Sequence, residues 1–302
     1  KPLAALVVVV LVVGGFIGYR YFSAPGSKQI NSIAVMPFEN RNSDADTDYL
    51  SDGLAESVIF RLTQIPDLRV SPTSSVMRYK GKGRDASQIA KELDVDAVMS
   101  GRLVQIGESL NISVQLTDAR TDKLIWAEQY ERKMSDLLAT QREIATAIAQ
   151  KLQLKLSGDE ARGITKKYTD NNEAYQLYMK GRFHFAKRTK EDILKSIEYF
   201  QQALELDPNF ALAFSAIAES YNVMPSHGYL SPREATPPAR AAVQKALAID
   251  PSLAEAHTQL GSIYSNYDWD WAKAEDEYKR ALEIDPNNAT SHLRYGQHLW
   301  VV

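Results

Sequence analysis

Ala203-Leu204-Glu205-Leu206-Asp207-Pro208 returns as Ala246-Leu247-Ala248-Ile249-Asp250-Pro251 and again as Ala281-Leu282-Glu283-Ile284-Asp285-Pro286. The three prolines lie 43 and then 35 residues apart. Each copy carries the same physics. The alanine lets two helices approach closely, the leucine faces a core, and the proline cannot continue a helix, so the chain turns there. Self-similarity at a period of about 34 residues marks two-helix units that stack on one another.

The surrounding residues sharpen that reading. Leu260-Gly261-x-x-Tyr264 is followed by Ala274, Tyr278, Ala281 and Pro286; before it come Phe214, Ala218, Tyr221, Ala239, Ala246 and Pro251; and before that Gly181, Phe200, Ala203 and Pro208. This stretch resembles the tetratricopeptide (TPR) repeats. Three units and a partial fourth, entered at Tyr295-Gly296, are expected over residues 173–302. The first unit carries a slightly long turn at Thr189–Asp192. The Pro-rich insertion Met224–Pro238 is expected as a loop between helices. The resemblance implies an all-α superhelix whose first helices build a concave face for a peptide or protein. Its expected lining is Arg182, Ser215, Glu219, Asn222, Gln259 and Ser262.

Upstream, the chain reads differently. Residues 3–22 are apolar except for Arg20. Twenty helical residues reach roughly 30 Å, the thickness of a hydrocarbon core. A retained transmembrane helix over 1–22 is therefore expected, contacting the membrane through residues 3–22, with a polar linker at 23–31. Ser32–Phe38 has the apolar content of a buried strand. Leu50, Leu54, Val58 and Leu62 fall on one face of a helix that Pro66 stops. A short strand at Leu68–Ser71, a loop at Ser71–Arg84 and a short helix at Ala86–Leu93 follow. Ala97–Ile106 and Leu110–Asp118 form a hairpin, with Ile112, Val114 and Leu116 alternating with polar residues. Lys123–Tyr130 reads as a third strand and Met134–Leu156 as a long helix. Residues 32–156 are thus expected as one α/β domain with a mixed sheet, and 157–172 as a linker or a helix-end extension into the repeats.

This region also has a family look. Ser32-Ile33-Ala34-Val35-Met36-Pro37-Phe38-Glu39-Asn40, Tyr49-x-x-Asp52-Gly53-Leu54, Tyr79-Lys80-Gly81-Lys82 and Leu124-Ile125-Trp126-Ala127-Glu128-x-Tyr130, in that order, resemble the TolB-N-terminal-like (FlgO-type) domain. In that family such domains follow a membrane helix and precede TPR repeats. The resemblance implies a cytoplasmic part outside this sequence: a Ser/Thr protein kinase, a winged-helix DNA-binding domain or a nucleotide cyclase. It also implies a cytoplasmic-membrane location with residues 23–302 periplasmic or otherwise extracytoplasmic.

Composition narrows the chemistry. The 302 residues carry a net charge of -3, which gives no general attraction to nucleic acid. There are no cysteines, hence no disulfides and no thiolate chemistry. The five histidines form no paired metal-ligand spacing. His257 and His292 occupy equivalent repeat positions, which points to packing. Asp44-x-Asp46-x-Asp48 begins like a calcium loop, but Tyr49 and Ala55 stand where that loop needs Gly and Glu, so an acidic helix-capping loop is the simpler reading. Lys80, Lys82 and Arg84 form a small basic loop without the phosphate-loop frame; it is a weak ligand candidate against a solvated turn. Trp269, beside Tyr267 and Trp271, is either the cover of a repeat turn, with Trp271 in the repeat core, or a partner hot spot. No catalytic residue, metal site or cofactor is expected. The function expected is a membrane-anchored, non-catalytic protein-interaction region of a signalling protein. Two rival readings are a nucleotide- or small-ligand-binding α/β domain and a structural envelope assembly protein.

Overall fold

The computed structural model describes residues 29–41, 47–82 and 85–301. The expected membrane helix over residues 3–22 lies outside the described residues. Among the described residues no helix is long and apolar enough to cross a membrane. Asn31–Val302 forms one compact unit, in which a sheet layer and a helical array share an interface.

The sheet layer runs β1 (Ser32–Val35), β2 (Glu39–Asn40), α1 (Asp48–Thr63), β3 (Arg69–Val70), α2 (Thr73–Met77), α3 (Ala86–Leu93), β4 (Ala97–Ile106), β5 (Ser109–Asp118), β6 (Lys123–Lys133) and α4 (Leu137–Lys151). Its strand order is β3-β1-β4-β5-β6. β1 pairs in parallel with β3 and β4, and the β4–β5–β6 meander is antiparallel. The single strand expected over Ser32–Phe38 is interrupted. β1 ends at Val35, and β2 resumes on β4 with Glu39 opposite Arg102. Pro37 has no N–H to give the ladder, so pairing lapses across it. Phe38 then turns onto Gly101, where a Cβ would sit 2.2 Å from the Phe38 ring; only glycine admits that approach. The hairpin turn is the two-residue Gly107-Glu108, with Gly107 at φ +59°.

Three other expectations need adjustment. The Ser71–Arg84 loop contains α2, pinned by fully buried Val76. The helix expected to Leu156 stops at Lys151, because Gln153 adopts the left-handed conformation at φ +55°. The linker over 157–172 contains α5 (Gly158–Thr165), whose start is fixed by a reciprocal cap between Ser157 and Glu160.

The array is built from helix pairs: α6 (Asn172–Ala186) with α7 (Lys190–Leu206), α8 (Ala211–Val223) with α9 (Pro232–Ile249), and α10 (Ala254–Ile263) with α11 (Trp271–Ile284), followed by α12 (Ala289–Val301). Ala203, Ala246 and Ala281 are fully buried, as close helix packing requires. Gly181 faces Phe200 and Gly261 faces Tyr278, each at a distance a methyl group would violate. The Pro-rich insertion is a loop only as far as Ser231. Ser231 and Glu234 cap α9 reciprocally, Pro232 takes its first turn, and Pro237 and Pro238 lie inside the helix. The carbonyls of Arg233 and Glu234, which lose their N–H partners to these prolines, belong to exposed residues that water can serve.

Candidate protein-interaction face

α1 is buried on two sides, and its sequence carries two stripes to match. Leu50, Leu54, Val58 and Leu62 are fully buried, as the sheet-facing stripe expected from the sequence. Tyr49, Gly53, Glu56, Phe60 and Thr63 recur at three- and four-residue spacing and form a second stripe. That stripe meets the array. A Cβ on Gly53 would lie 2.4 Å from Met179 Cε of α6. The Lys180 ammonium stands 5.2 Å from the centre of the Tyr49 ring. Ser57 donates to Gln141 Oε1 of α4 at 2.6 Å, and Tyr175 of α6 donates to the same oxygen at 2.8 Å.

Arg182 sits at the centre of this contact. Its Nη2 lies 2.7 Å from Glu56 of α1, and its Nη1 lies 2.6 Å from Glu219 of α8. Burial alone would loosen its proton. The two carboxylates outweigh that and hold the guanidinium well above its ordinary range.

The repeat signature supplies a second line of contact. In each Asp-Pro turn one carboxylate oxygen serves the turn itself: Oδ1 of Asp207, Asp250 and Asp285 accepts the backbone N–H of Asn209, Ser252 and Asn287 at 3.0, 3.1 and 3.2 Å. The other oxygen faces outward from the array. Asp207 Oδ2 accepts from Thr169, Asp250 Oδ2 from Lys166 at 2.7 Å, and Asp285 Oδ2 from Thr63 and Gln64 at 3.0 Å each. Three equivalent aspartates thus form a ladder that holds the end of α1 and the strap leading from α5 to α6. Asn287 adds two bonds, to the carbonyls of Thr63 and Ile65. Arg61 ties the strap back to α1 by donating to the carbonyls of Ile164 and Lys166 at 2.7 and 3.0 Å. The Phe60 and Tyr168 rings meet edge to face at 5.4 Å.

The six residues expected to line the groove differ in their surroundings. Arg182 and Glu219 are brought together, and so are Asn222 and Gln259, whose side chains bond at 3.0 Å across neighbouring repeats. Ser215, Gln259 and Ser262 are buried at the helix contacts and do not form an open lining. Ser262 accepts from the Tyr278 hydroxyl at 3.2 Å. The residues that sequence reasoning missed are Glu56, Thr63, Lys166, Thr169 and the three signature aspartates. The signal was available in the aspartates, which repeat as faithfully as the alanines.

The other candidates fall elsewhere. Lys80 is committed to Asp52 at 2.8 Å and approaches Asp48 at 3.8 Å. Lys82 is exposed, and Arg84 lies outside the described residues. Of the basic loop, Lys80 is thus engaged within the domain. Asp44 and Asp46 also lie outside the described residues. Trp269 is 69% exposed and takes φ +59° after a π-helical turn at Tyr264–Asp268. Trp271 is 40% exposed, so it does not pack in the repeat core as expected. The two indoles lie 6.5 Å apart at the array surface. His257 and His292 each bond the carbonyl of their repeat's proline, Pro251 at 3.0 Å and Pro286 at 2.8 Å, a shared structural role.

Comparison with known proteins matches both halves. Residues 28–147 match the family described as HilA/YgeH-like transcriptional regulator, second domain, and residues 177–210 match the tetratricopeptide repeat. A putative adenylate cyclase 3 of Rhizobium meliloti is 31% identical over 188 residues, which are 62% of this chain and 32% of that protein. Transcriptional regulator HilA of Salmonella typhimurium is 21% identical over 279 residues, 90% of this chain and 48% of that protein. The chain therefore spans about a third to about half of the length of these relatives. Among solved structures, the first TPR of Spaghetti (RPAP3) bound to an HSP90 peptide aligns over 44% of this chain and 96% of that one at 18% identity and TM-score 0.35. TolB from Acinetobacter baumannii aligns over 41% of this chain and 29% of that one at 19% identity and TM-score 0.31. The chain is similar to a HilA-like regulator domain followed by tetratricopeptide repeats.

Proposed function

We propose that this chain is a non-catalytic protein-interaction region of a signalling protein, and that the first-helix face of the array is its binding surface. One observation carries the reading: that face already grips α1 through Arg182 on Glu56, while the Asp-Pro turns beside it hold the end of α1 and the strap. Stacked repeats expose extended surfaces of this kind by their geometry. The match to a HilA-like domain supports a signalling link. The output belongs to this proposal: regulation of transcription or nucleotide cyclisation, after the relatives' names, carried by protein beyond the shared segment. The domain limits read from the sequence, 32–156 and 173–302, are part of the proposal too. So is attachment to the cytoplasmic membrane through residues 3–22, with the remainder outside the cytoplasm; the apolar run, charged only at Arg20, supports it.

The test is site-specific photo-crosslinking in cells that express the chain. A photoreactive residue at Asn222, on the face, is expected to capture a discrete partner, and one at Glu198, on the outer helix α7, is not. Equal labelling from both positions, or none from Asn222, would contradict the reading.

A further inference from the structure

α1 shows what the first-helix face recognises. Its second stripe reads aromatic, small, acid, aromatic, hydroxyl at Tyr49, Gly53, Glu56, Phe60 and Thr63. Four of them have a counterpart on the array, Lys180 at the ring of Tyr49, Met179 against Gly53, Arg182 on Glu56 and the Asp-Pro turn's Asp285 on Thr63, while Phe60 meets Tyr168 of the strap. The complementarity is of shape at one position and of charge at another, which is how a surface selects one helix over others. We infer that this face is a receptor for an acidic α-helix with a glycine three residues before its acid, and that α1 is the resident ligand, so an external helix of this pattern and α1 exclude each other. This rests on the proposed interaction function and names its partner class.

The contact has the character of a reversible one. The Arg182–Glu56 pair is 23% and 29% exposed at its two side chains, and the ladder runs from the part-buried Lys166–Asp250 ion pair to the buried Thr63–Asp285 hydrogen bond. Interfaces between parts of one chain that are polar in this way resemble transient protein–protein contacts. Inside it, Arg61 keeps a buried Nε with no hydrogen-bond partner. Burial, and then the Asp285 carboxylate, disfavour the charge on Glu255 of α10.

The experiment uses the 302-residue chain and a fluorescent synthetic peptide of residues 48–63. The absence of cysteine permits a clean lock. A Cβ on Gly53 lies 3.3 Å from Met179 Cβ, so Gly53→Cys with Met179→Cys brings two thiols within bonding reach. The oxidised chain is expected not to bind the peptide, and the reduced chain to bind it. Because Glu56→Lys frees Arg182 from its internal partner, that variant is expected to bind at least about tenfold more tightly than the native chain, by the rise in its open fraction. Arg182→Glu is expected to lose the native peptide and to bind one carrying Lys at position 56. Equal binding by locked and reduced chains, absence of binding by Glu56→Lys, or indifference to the charge reversal would each overturn the inference. The two readings fail separately. A cellular partner captured equally by locked and reduced chains ends this inference and leaves the interaction function standing. Peptide exchange without any cellular partner does the reverse.

Discussion

Arg182 joins two carboxylates from distant parts of the sequence, Glu56 of α1 and Glu219 of α8. A guanidinium can serve both because its planar fork presents donors in fixed, divergent directions; an ammonium on a flexible stem cannot hold the same geometry. Arg182→Ala is expected to lower stability by about 1–3 kcal/mol, read from urea unfolding, and Arg182→Lys should recover less than half of the loss. Two glycines make a sharper contrast. Gly181 and Gly296 hold like places on first helices, but a Cβ at Gly181 would lie 2.3 Å from the Phe200 ring, whereas one at Gly296 meets nothing within 4 Å. Gly181→Ala should therefore cost about 1–3 kcal/mol through overpacking, and Gly296→Ala should be neutral or stabilising by about 0.5–1 kcal/mol. Thermal unfolding of the two variants checks both. Equal effects would mean that the glycine is kept for backbone reasons alone.

At the scale of the element, the first helix α10 carries a titration. Burial, and then the neighbouring Asp285 carboxylate, push Glu255 up to about 7. The sign follows from proton binding. Between the unfolded carboxyl value near 4.5 and the folded value, the folded chain holds the extra proton, so stability falls as pH rises through that window and levels off above it. Glu255→Gln keeps an acceptor for Asn288 and removes the charge. Its unfolding curves should show a flatter dependence between pH 4.5 and 7 and greater stability than the native chain above pH 7. An unchanged slope would show that another group titrates there.

The elements also show what can be read from sequence. The repeat helices were legible because Ala203, Ala246 and Ala281 mark packing that is local to each hairpin. The β4–β5 hairpin was legible because Ile112, Val114 and Leu116 alternate on a single face. The second stripe of α1 was not. Gly53, Glu56 and Thr63 read as the solvent side of an amphipathic helix, and their partners lie more than a hundred residues away. Half of the candidate face was missed for the same reason: donors such as Lys166 and Thr169 sit in a segment whose polarity reads as a linker. The ladder aspartates went unread because a turn accounts for one oxygen of each carboxylate and says nothing of the other.

For the whole molecule, the consequence is coupling between two parts that sequence separates. Eight or more side-chain contacts bridge the sheet layer and strap to the array, most of them polar, as about 1 kcal/mol or less each when exposed and more when buried. The native chain should unfold in one calorimetric transition, and Asp285→Ala combined with Arg182→Ala should split it into two, with the array's transition shifted least. A split already present in the native chain would mean that the interface contributes little to stability.

Hydrogen–deuterium exchange on the native chain and on Arg182→Glu tests the central claim, that α1 is held by the array's first-helix face, most directly. Loss of the Glu56 pair should deprotect Asp48–Thr63, the strap at Ile164–Thr169 and the Asp-Pro turns at 207, 250 and 285 together, although the three turns are far apart in sequence. Deprotection confined to the residues around Arg182 would contradict it.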